Sequence, residues 1–108
     1  MRIEYESKKV EKLLVDFDTL YRRLGFELQK KLKTTLDRLD AVENFTEFLS
    51  LGLGRPHPLK NNLKGYYGVT LTGNIRLILK PKNGLDSSVY IVKGVCDYHG
   101  EKNEWIIP

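Results

Sequence analysis

The spacing of apolar residues divides the chain into a helical first half and an extended second half. Residues 2–6 alternate apolar and charged side chains, a pattern that predicts a short strand. From Ser7 to Leu24, apolar residues recur at helical spacing, which predicts one amphipathic helix of about four turns. Ser7 is suited to cap the start of this helix, and Gly25 is suited to end it.

Two more helices are predicted before the chain changes character. The first has its apolar residues on one face, at Leu28, Leu32, Leu36, Leu39 and Val42. Because Gly25 joins it to the preceding helix, the two are expected to pack as an antiparallel hairpin. The other is a short helix over residues 44–51, for which Asn44 is the cap. Its aromatic and leucine side chains are expected in the core, namely Phe45, Phe48 and Leu49. Glycine and proline residues from 52 to 58 then mark an irregular connection.

The pattern changes to a period of two at Tyr66, which predicts β-strands. Two strands flank a turn around Gly73, and a two-residue turn would mix apolar and polar side chains on both faces. A three-residue loop gives one clean apolar face, and register is strongly fixed when one face is buried. That loop pairs Leu71 with Ile75, Val69 with Leu77 and Tyr67 with Leu79. It places Arg76 on the other face together with Tyr66, Thr70, Ile78 and Lys80.

The rest of the chain predicts a β-meander. A second turn lies around Asn83 and Gly84, and residues 89–92 form the third strand. Residues 95–99 are expected to continue that strand past a bulge or kink. The apolar tail at residues 105–108 is expected to pack on the helices or to add an edge strand. The predicted fold class is α+β, with an N-terminal strand and a helical hairpin packed on a mainly antiparallel sheet that ends in the meander.

The size and composition of the chain fit one soluble domain over residues 1–108. The 108 residues are 41% hydrophobic and 30% charged, which is ordinary for a globular chain with one core. No segment resembles a signal peptide or is apolar enough to span a membrane. Cys96 is the only cysteine, so no intrachain disulfide can form. We therefore expect a cytoplasmic protein.

Positive charge is concentrated in one part of the sequence. Residues 55–82 contain six Lys or Arg residues and no Asp or Glu, whereas the other 80 residues contain 12 basic and 14 acidic ones. A patch of one sign favours a polyanion as the partner. The alternative is a solvated surface without a partner, because Lys is the commonest exposed residue.

Four groups of polar residues fall where the sheet and its loops could converge: His57 with Lys60, then Lys64, then Arg76, then Asp97-Tyr98-His99. Cleavage of RNA by attack of a 2′-hydroxyl needs a base, an acid and cations that stabilise the phosphorane. Histidine suits the proton transfers, and Lys and Arg suit the charge. Asp97 would share one side of an extended strand with His99 and could orient or charge its ring. Tyr98 could stack on an unpaired base.

None of these residues is diagnostic alone. An isolated histidine is more often a surface residue than a catalyst, and a lone arginine on a strand is usually paired or solvated. A metal site of His57, Asp97 and His99 is disfavoured, since no further protein ligand of standard spacing supports it. We expect neither a metal nor another cofactor.

Four short motifs occur in a fixed order along the second half of the chain. They are R-P-H-x-L-K at residues 55–60, L-K-G-Y-Y at 63–67, G-N-x-R at 73–76 and D-Y-H at 97–99. Together with the order of the predicted elements, they resemble the toxins of the RelE/ParE superfamily. The resemblance is greatest to the HigB-like (plasmid maintenance killer) branch, and it implies a RelE-like fold.

The resemblance also implies a function. Toxins of this kind are ribosome-dependent endoribonucleases that cut mRNA, and a small helix-turn-helix antitoxin holds them inactive. The active-site residues carried over in this way are His57, Lys60, Arg76, Asp97, Tyr98 and His99. The residues expected to contact RNA are Lys64, Tyr66 and Lys80. On chemical grounds, His99 is the general base or acid, and Arg76 and Lys60 contact the scissile phosphate.

Two other functions stay open at this point. One is a ParE-like toxin that binds DNA gyrase and has no nuclease chemistry, although a pure binder would not need the set His57, Lys60, Arg76 and His99. The other is a non-catalytic RNA-binding module, for which a basic sheet face with Tyr66 or Tyr98 would suffice. The chain also departs from many family members at Tyr67 and Ile75, and its tail at residues 101–108 could alter access to the site.

Overall fold

The computed structural model describes residues 1–99 and 102–108, and the α+β class is confirmed. The helices are α1 (Lys8–Val15), α2 (Phe17–Leu24), α3 (Phe26–Ala41) and α4 (Phe45–Leu51). The strands are β1 (Arg2–Tyr5), β2 (His57–Pro58), β3 (Tyr67–Thr72), β4 (Ile75–Pro81), β5 (Val89–His99) and β6 (Lys102–Ile107). A single 3₁₀ turn, Asn61–Leu63, is described between β2 and β3.

The strands form one mixed sheet in the order β1-β5-β4-β3-β2. β1 runs parallel to β5, and the other described pairs are antiparallel. β6 pairs with the second half of β5, on the edge along which β1 pairs with the first half. The prediction that the tail at residues 105–108 adds an edge strand is therefore confirmed for residues 105–107, and the strand begins earlier than expected, at Lys102. Glu101 lies outside the described residues.

The helices cover one face of the sheet and bury the main core against it. Apolar side chains of α1, α2 and α3, among them Val10, Leu20 and Leu32, pack with Val69 and Leu77 of the sheet. The prediction for α4 is confirmed for Phe45 and Phe48, which are fully buried, while Leu49 is partly buried and packs against the core. The Asn44 side chain caps that helix by accepting a hydrogen bond from the Glu47 backbone N–H at 2.9 Å.

The prediction of one continuous helix from Ser7 to Leu24 is wrong, because Asp16 ends α1 and begins α2. The Asp16 carboxylate accepts hydrogen bonds from the backbone N–H groups of Asp18 at 3.1 Å and Thr19 at 3.2 Å. These local bonds offer the backbone an alternative to an unbroken helix. The predicted reversal at Gly25 is confirmed, since the Gln29 side chain of α3 donates to the carbonyl of Phe17 at the start of α2.

The predicted register of the β3–β4 hairpin is confirmed in two pairs and wrong in the third. Tyr67 pairs with Leu79 and Val69 pairs with Leu77, as predicted. Nearer the turn, however, Thr72 and not Leu71 is paired with Ile75, after a register shift between Thr70 and Thr72. The hairpin thus combines a two-residue turn with a bulge at Leu71. The bulge keeps the apolar face continuous, which is why periodicity alone favoured the longer loop.

A second bulge, in β5, decides which side chains reach the other face. Ile78 of β4 is paired with Gly94 and Leu79 with Val92, so Lys93 is the extra residue. Before the bulge the even-numbered Tyr90 and Val92 face the helices, and after it the odd-numbered Val95 does. Cys96 and, by alternation, Tyr98 therefore lie on the opposite face. We call that face, which carries Arg76, Ile78, Cys96 and Tyr98, the open face.

Candidate functional site

The segment that follows β2 crosses the open face and builds a small second core there. Leu59 and Leu63 pack on Ile78 and Cys96, and all four side chains are buried. Burial raises the pKa of the Cys96 thiol to about 11, so this thiol stays protonated and is not a nucleophile at neutral pH. The second core therefore has a structural role, and it fixes the position of the polar residues around it.

A cleft of about 640 Å³ opens between this segment and the ends of β5 and β6. Its polar lining consists of His57, Lys60, Asn61, Asn62, Tyr98 and Asn103. Tyr98 and Asn103 face each other across the β5–β6 pair, and Tyr98 is 37% exposed. No acidic side chain lines this cleft in the part of the chain that the structure describes. The cleft therefore brings together three of the predicted active-site residues in a positive or neutral setting.

His57 is held at the edge of the sheet in a defined orientation. His57 pairs with Gly68 of β3, and its Nδ1 lies 3.3 Å from the Arg55 carbonyl oxygen. A carbonyl oxygen can only accept, so this hydrogen bond places the proton on Nδ1. In the neutral ring, Nε2 then keeps a free lone pair. His57 is thus arranged as a proton acceptor.

Asp97 and His99 form an ion pair near the end of β5. The Nδ1 atom of His99 lies 2.9 Å from Asp97 Oδ1, which agrees with the predicted sharing of one strand side. The hydrogen bond with Asp97, and then the charge of Asp97, raise the pKa of His99 above its ordinary value. By strand alternation both side chains point away from Tyr98 and the open face. The pair therefore lies beside the cleft and does not line it.

Arg76 lies on the open face, as predicted, but it lines a different cleft. Arg76 is paired with Thr70 of β3, and its guanidinium donates to the Gly73 carbonyl at 2.7 Å. The second cleft, at the hairpin end of the sheet, also receives Arg55 and Lys31. The predicted active-site set is thus divided among the first cleft, its rim and this second cleft.

The predicted RNA contacts Tyr66 and Lys80 belong to a cluster farther along the open face. The Lys80 Nζ atom lies 4.8 Å from the Tyr66 ring centroid, and the Lys93 Nζ atom lies 5.4 Å from it. The Tyr66 hydroxyl donates to Glu6, which also forms an ion pair with Lys93 at 2.6 Å. Burial and the bond to Glu6 raise the pKa of Tyr66 to about 12. Lys64, in contrast, is exposed after the 3₁₀ turn.

Three residues of this surface were missed by the sequence analysis. Asn103 lines the first cleft, Lys93 joins the Tyr66 cluster, and Trp105 places its ring centroid 5.6 Å from Lys93 Nζ. Asn103 and Trp105 lie on β6, and the only sequence signal for the pairing of β6 with β5 was the apolar end of β6. Lys93 is the bulged residue of β5, and the glycine at position 94 was the available signal.

The fold can be compared with those of solved proteins. It is similar to a heterotetrameric YoeB–YefM toxin–antitoxin complex from Staphylococcus aureus, with a TM-score of 0.59 at 21% identity over 93% of this chain and 98% of that chain. It is also similar to a YoeB/ParE toxin from Agrobacterium tumefaciens, with a TM-score of 0.61 at 16% identity over 93% and 100% of the two chains. The chain has the fold of YoeB-type toxins.

A YoeB dimer from Staphylococcus aureus gives a TM-score of 0.59 at 22% identity over 93% of this chain and 98% of that chain. No protein-family model and no curated protein matches the sequence. The structural neighbours thus support the RelE/ParE-type fold, while the HigB-like branch stays a prediction.

Two further findings concern other classes of site. Within residues 1–99 and 102–108, no group of three or more His, Cys, Asp or Glu side chains could hold a metal ion. In the same residues, no helix is long and apolar enough to cross a membrane.

Proposed function

We propose that this protein is the toxin of a toxin–antitoxin pair and that it cleaves mRNA on the ribosome. The observation that carries the proposal is the first cleft, where His57, Lys60 and Tyr98 converge without an acidic side chain among the described lining residues. These are a proton acceptor, a cation for phosphate and an aromatic ring for an unpaired base. The shared fold with YoeB-type toxins supports the same conclusion.

The proposed reaction is attack of a ribose 2′-hydroxyl on the adjacent phosphorus. His57 Nε2 takes the 2′-hydroxyl proton while the new O–P bond forms. Lys60 stabilises the negative charge of the phosphorane. The bond from phosphorus to the 5′-oxygen then breaks, and that oxygen takes a proton from His99, whose ring has to turn from the rim towards the cleft when RNA binds. The products are a 2′,3′-cyclic phosphate and a 5′-hydroxyl end, and the reaction needs no metal or cofactor.

The environments of the two histidines favour this division of roles. The hydrogen bond to Arg55 keeps the Nδ1 proton of His57 in place and leaves Nε2 as an acceptor. Asp97 raises the pKa of His99 and so favours the protonated ring that an acid requires. The free Nε2 atom therefore suits His57 to accept a proton, and the raised pKa suits His99 to give one.

The proposed partners are ribosome-bound mRNA and a small antitoxin. The antitoxin is inferred from the structural neighbours, one of which is a YoeB–YefM toxin–antitoxin complex. The proposal also includes membership of the HigB-like branch and a helix-turn-helix antitoxin, which derive from the sequence resemblance. It includes a cytoplasmic location, which was expected from the composition of the chain.

Expression of the chain without a partner, followed by primer extension on a reporter mRNA, tests the proposal. We expect growth arrest and cuts within translated codons. His57→Ala and His99→Ala should each reduce cutting by roughly 10²- to 10⁴-fold, the usual contribution of a general acid or base. Lys33→Ala is the control, because Lys33 lies on α3 with its Nζ atom over the Phe17 ring and outside both clefts.

Other results would contradict the proposal in defined ways. Growth arrest without mRNA cuts, together with inhibited DNA supercoiling, would identify a gyrase inhibitor. RNA binding without cutting by the folded wild-type protein would identify a non-catalytic RNA-binding module. Full cutting by folded His99→Ala protein would refute the role of His99 as the acid.

A further inference from the structure

The second cleft collects positive charge from three separate parts of the chain. It has a volume of about 580 Å³ and is lined by Lys31 of α3, Arg55 of the loop after α4, and Arg76 of β4. Thr34 and Thr70 also line it, and no acidic residue does so among the described residues. Like charges around one cleft repel each other, and an anion between them relieves that repulsion. The lining therefore fits an anionic ligand.

The surroundings of this cleft distinguish it from an ordinary basic surface. A neighbouring surface depression on α3 is lined by Lys30 and Lys31, but it also contains Glu27, so a carboxylate offsets its positive charge. In the second cleft, Arg55 and Arg76 each bring a guanidinium, whose planar fork matches phosphate oxygens. Thr34, which can donate through its hydroxyl, also lines the cleft. This set of donors is typical of a phosphate site.

The backbone of Arg55 adds a second observation. Arg55 has a φ of 48°, in a region where residues with a Cβ are disfavoured and glycine is usual. The loop is fixed in this shape because the Thr70 N–H donates to the Gly54 carbonyl at 2.7 Å and the Arg55 N–H donates to the Gly52 carbonyl at 3.1 Å. Uncommon backbone conformations of this kind are concentrated at functional sites. Here the residue with this conformation, Arg55, lines the cleft.

The two clefts meet at a hydrogen bond. The Arg55 carbonyl accepts from His57 Nδ1, while Arg55 lines the second cleft and His57 lines the first. Because these lining residues are two positions apart in the chain, one linear ligand can extend from His57 to Arg55. We propose that the second cleft binds the sugar–phosphate backbone of the same RNA strand that is cut in the first. This inference rests on the proposed function.

Binding of an uncleavable single-stranded RNA, with 2′-O-methyl groups on its riboses, tests the inference. Fluorescence anisotropy gives the dissociation constant over a series of KCl concentrations. Each phosphate contact on a single strand contributes about 0.7 to the slope of log K against log[salt]. Lys31→Ala should therefore reduce the slope by about 0.7, and Arg55→Ala should do the same. Arg55→Lys keeps a charge and should restore most of the slope.

Lys33→Ala is the matched control, since it removes the same charge from the same helix. The Lys33 Nζ atom lies 5.7 Å from the Phe17 ring centroid, outside the cleft, so the slope should stay at the wild-type value. Equal slopes for Lys31→Ala, Lys33→Ala and wild type would overturn the proposal. A second result would also overturn it: Lys31→Ala lowers the affinity for a polyglutamate peptide but not the affinity for RNA. The cleft would then bind an acidic protein partner.

The mRNA cutting assay separates this inference from the proposed function. If the wild-type protein cuts mRNA at codons but Lys31→Ala and Arg55→Ala keep the wild-type salt slope, only the proposed RNA binding in the second cleft is overturned. The expected slope changes without any cutting would support the cleft as a nucleic-acid site and would overturn the nuclease. Circular dichroism of each variant establishes that the folded protein is being compared.

Discussion

The loop that carries Arg55 depends on a close approach of Gly54 to β3. A Cβ at position 54 would lie 2.5 Å from Val69 Cγ1 and 2.7 Å from the Thr70 carbonyl oxygen. Val69 is fully buried, and the Thr70 carbonyl belongs to the strand backbone, so neither can move aside at low cost. At position 52 the backbone has nearly the same φ, 68° against 69°, but a Cβ there would have no atom within 4 Å. The two glycines thus separate backbone strain from steric overlap.

The expected destabilisations follow from these two contributions. Gly52→Ala should lower the free energy of unfolding by about 1 kcal/mol, because it only places a side chain at positive φ. Gly54→Ala has the same cost and adds overpacking against Val69 and Thr70, roughly 1–3 kcal/mol. Loss of the hydrogen bond from the Thr70 N–H to the Gly54 carbonyl adds about 1 kcal/mol. We therefore expect Gly54→Ala to lower the free energy of unfolding by about 3–5 kcal/mol, clearly more than Gly52→Ala.

Urea unfolding followed by circular dichroism measures both values in parallel. Gly54→Ala should also displace Arg55, so its RNA-binding slope should fall to the value of Arg55→Ala under conditions where it is folded. Gly52→Ala should keep most of the wild-type slope. Equal loss of stability in the two variants, within about 0.5 kcal/mol, would refute the steric reasoning, because the conformational cost is common to both.

Two pH-dependent predictions concern the open face and its rim. Asp97→Asn should lower the pKa of His99, measured by NMR titration of its ring protons, because Asp97 is the largest cause of the raised value. The stabilisation by the Asp97–His99 pair should be present below pH 6.5 and lost as the pH rises through the pKa of His99 in the folded state. An unchanged pKa of His99 in Asp97→Asn would contradict the pairing. Glu6→Gln should bring the pKa of Tyr66 below 12 but leave it above 10.0, since burial persists. Tyrosinate absorbance, with Tyr66→Phe as the reference, measures it, and a pKa that stays at 12 would exclude Glu6 as a cause.

The elements with strong local signals could be predicted from the sequence. The cap at Asn44, the reversal at Gly25 and most of the hairpin register are set by nearby residues and by burial of one face, and these predictions are confirmed. The break at Asp16 was missed because the apolar spacing continues across it. The competing signal was the carboxylate itself, which accepts hydrogen bonds from the two residues that follow.

The candidate site was predictable as a set of residues but not as an arrangement. Motifs gave His57, Lys60 and Tyr98, which the structure places in one cleft. They did not separate Arg76 from that cleft, because its position depends on how the guanidinium folds back to the Gly73 carbonyl. Nor did they include Asn103, since the pairing of β6 with β5 is a long-range contact without a local pattern.

The bulge at Lys93 decides which side chains of β5 reach the first cleft. Side chains on a strand alternate, so one extra residue moves every later side chain to the opposite face. Without it, the parity of Tyr90 and Val92 would direct Tyr98 towards the helices, and the first cleft would lose its exposed aromatic ring. Without the inserted residue, the side chain of Asp97 would lie on the open face instead. Strand alternation divides the D-Y-H motif between two faces, and one inserted residue four positions upstream of Asp97 decides that Tyr98 is the member in the cleft. The adjacent Gly94 leaves room there for the Ile107 carbonyl of β6.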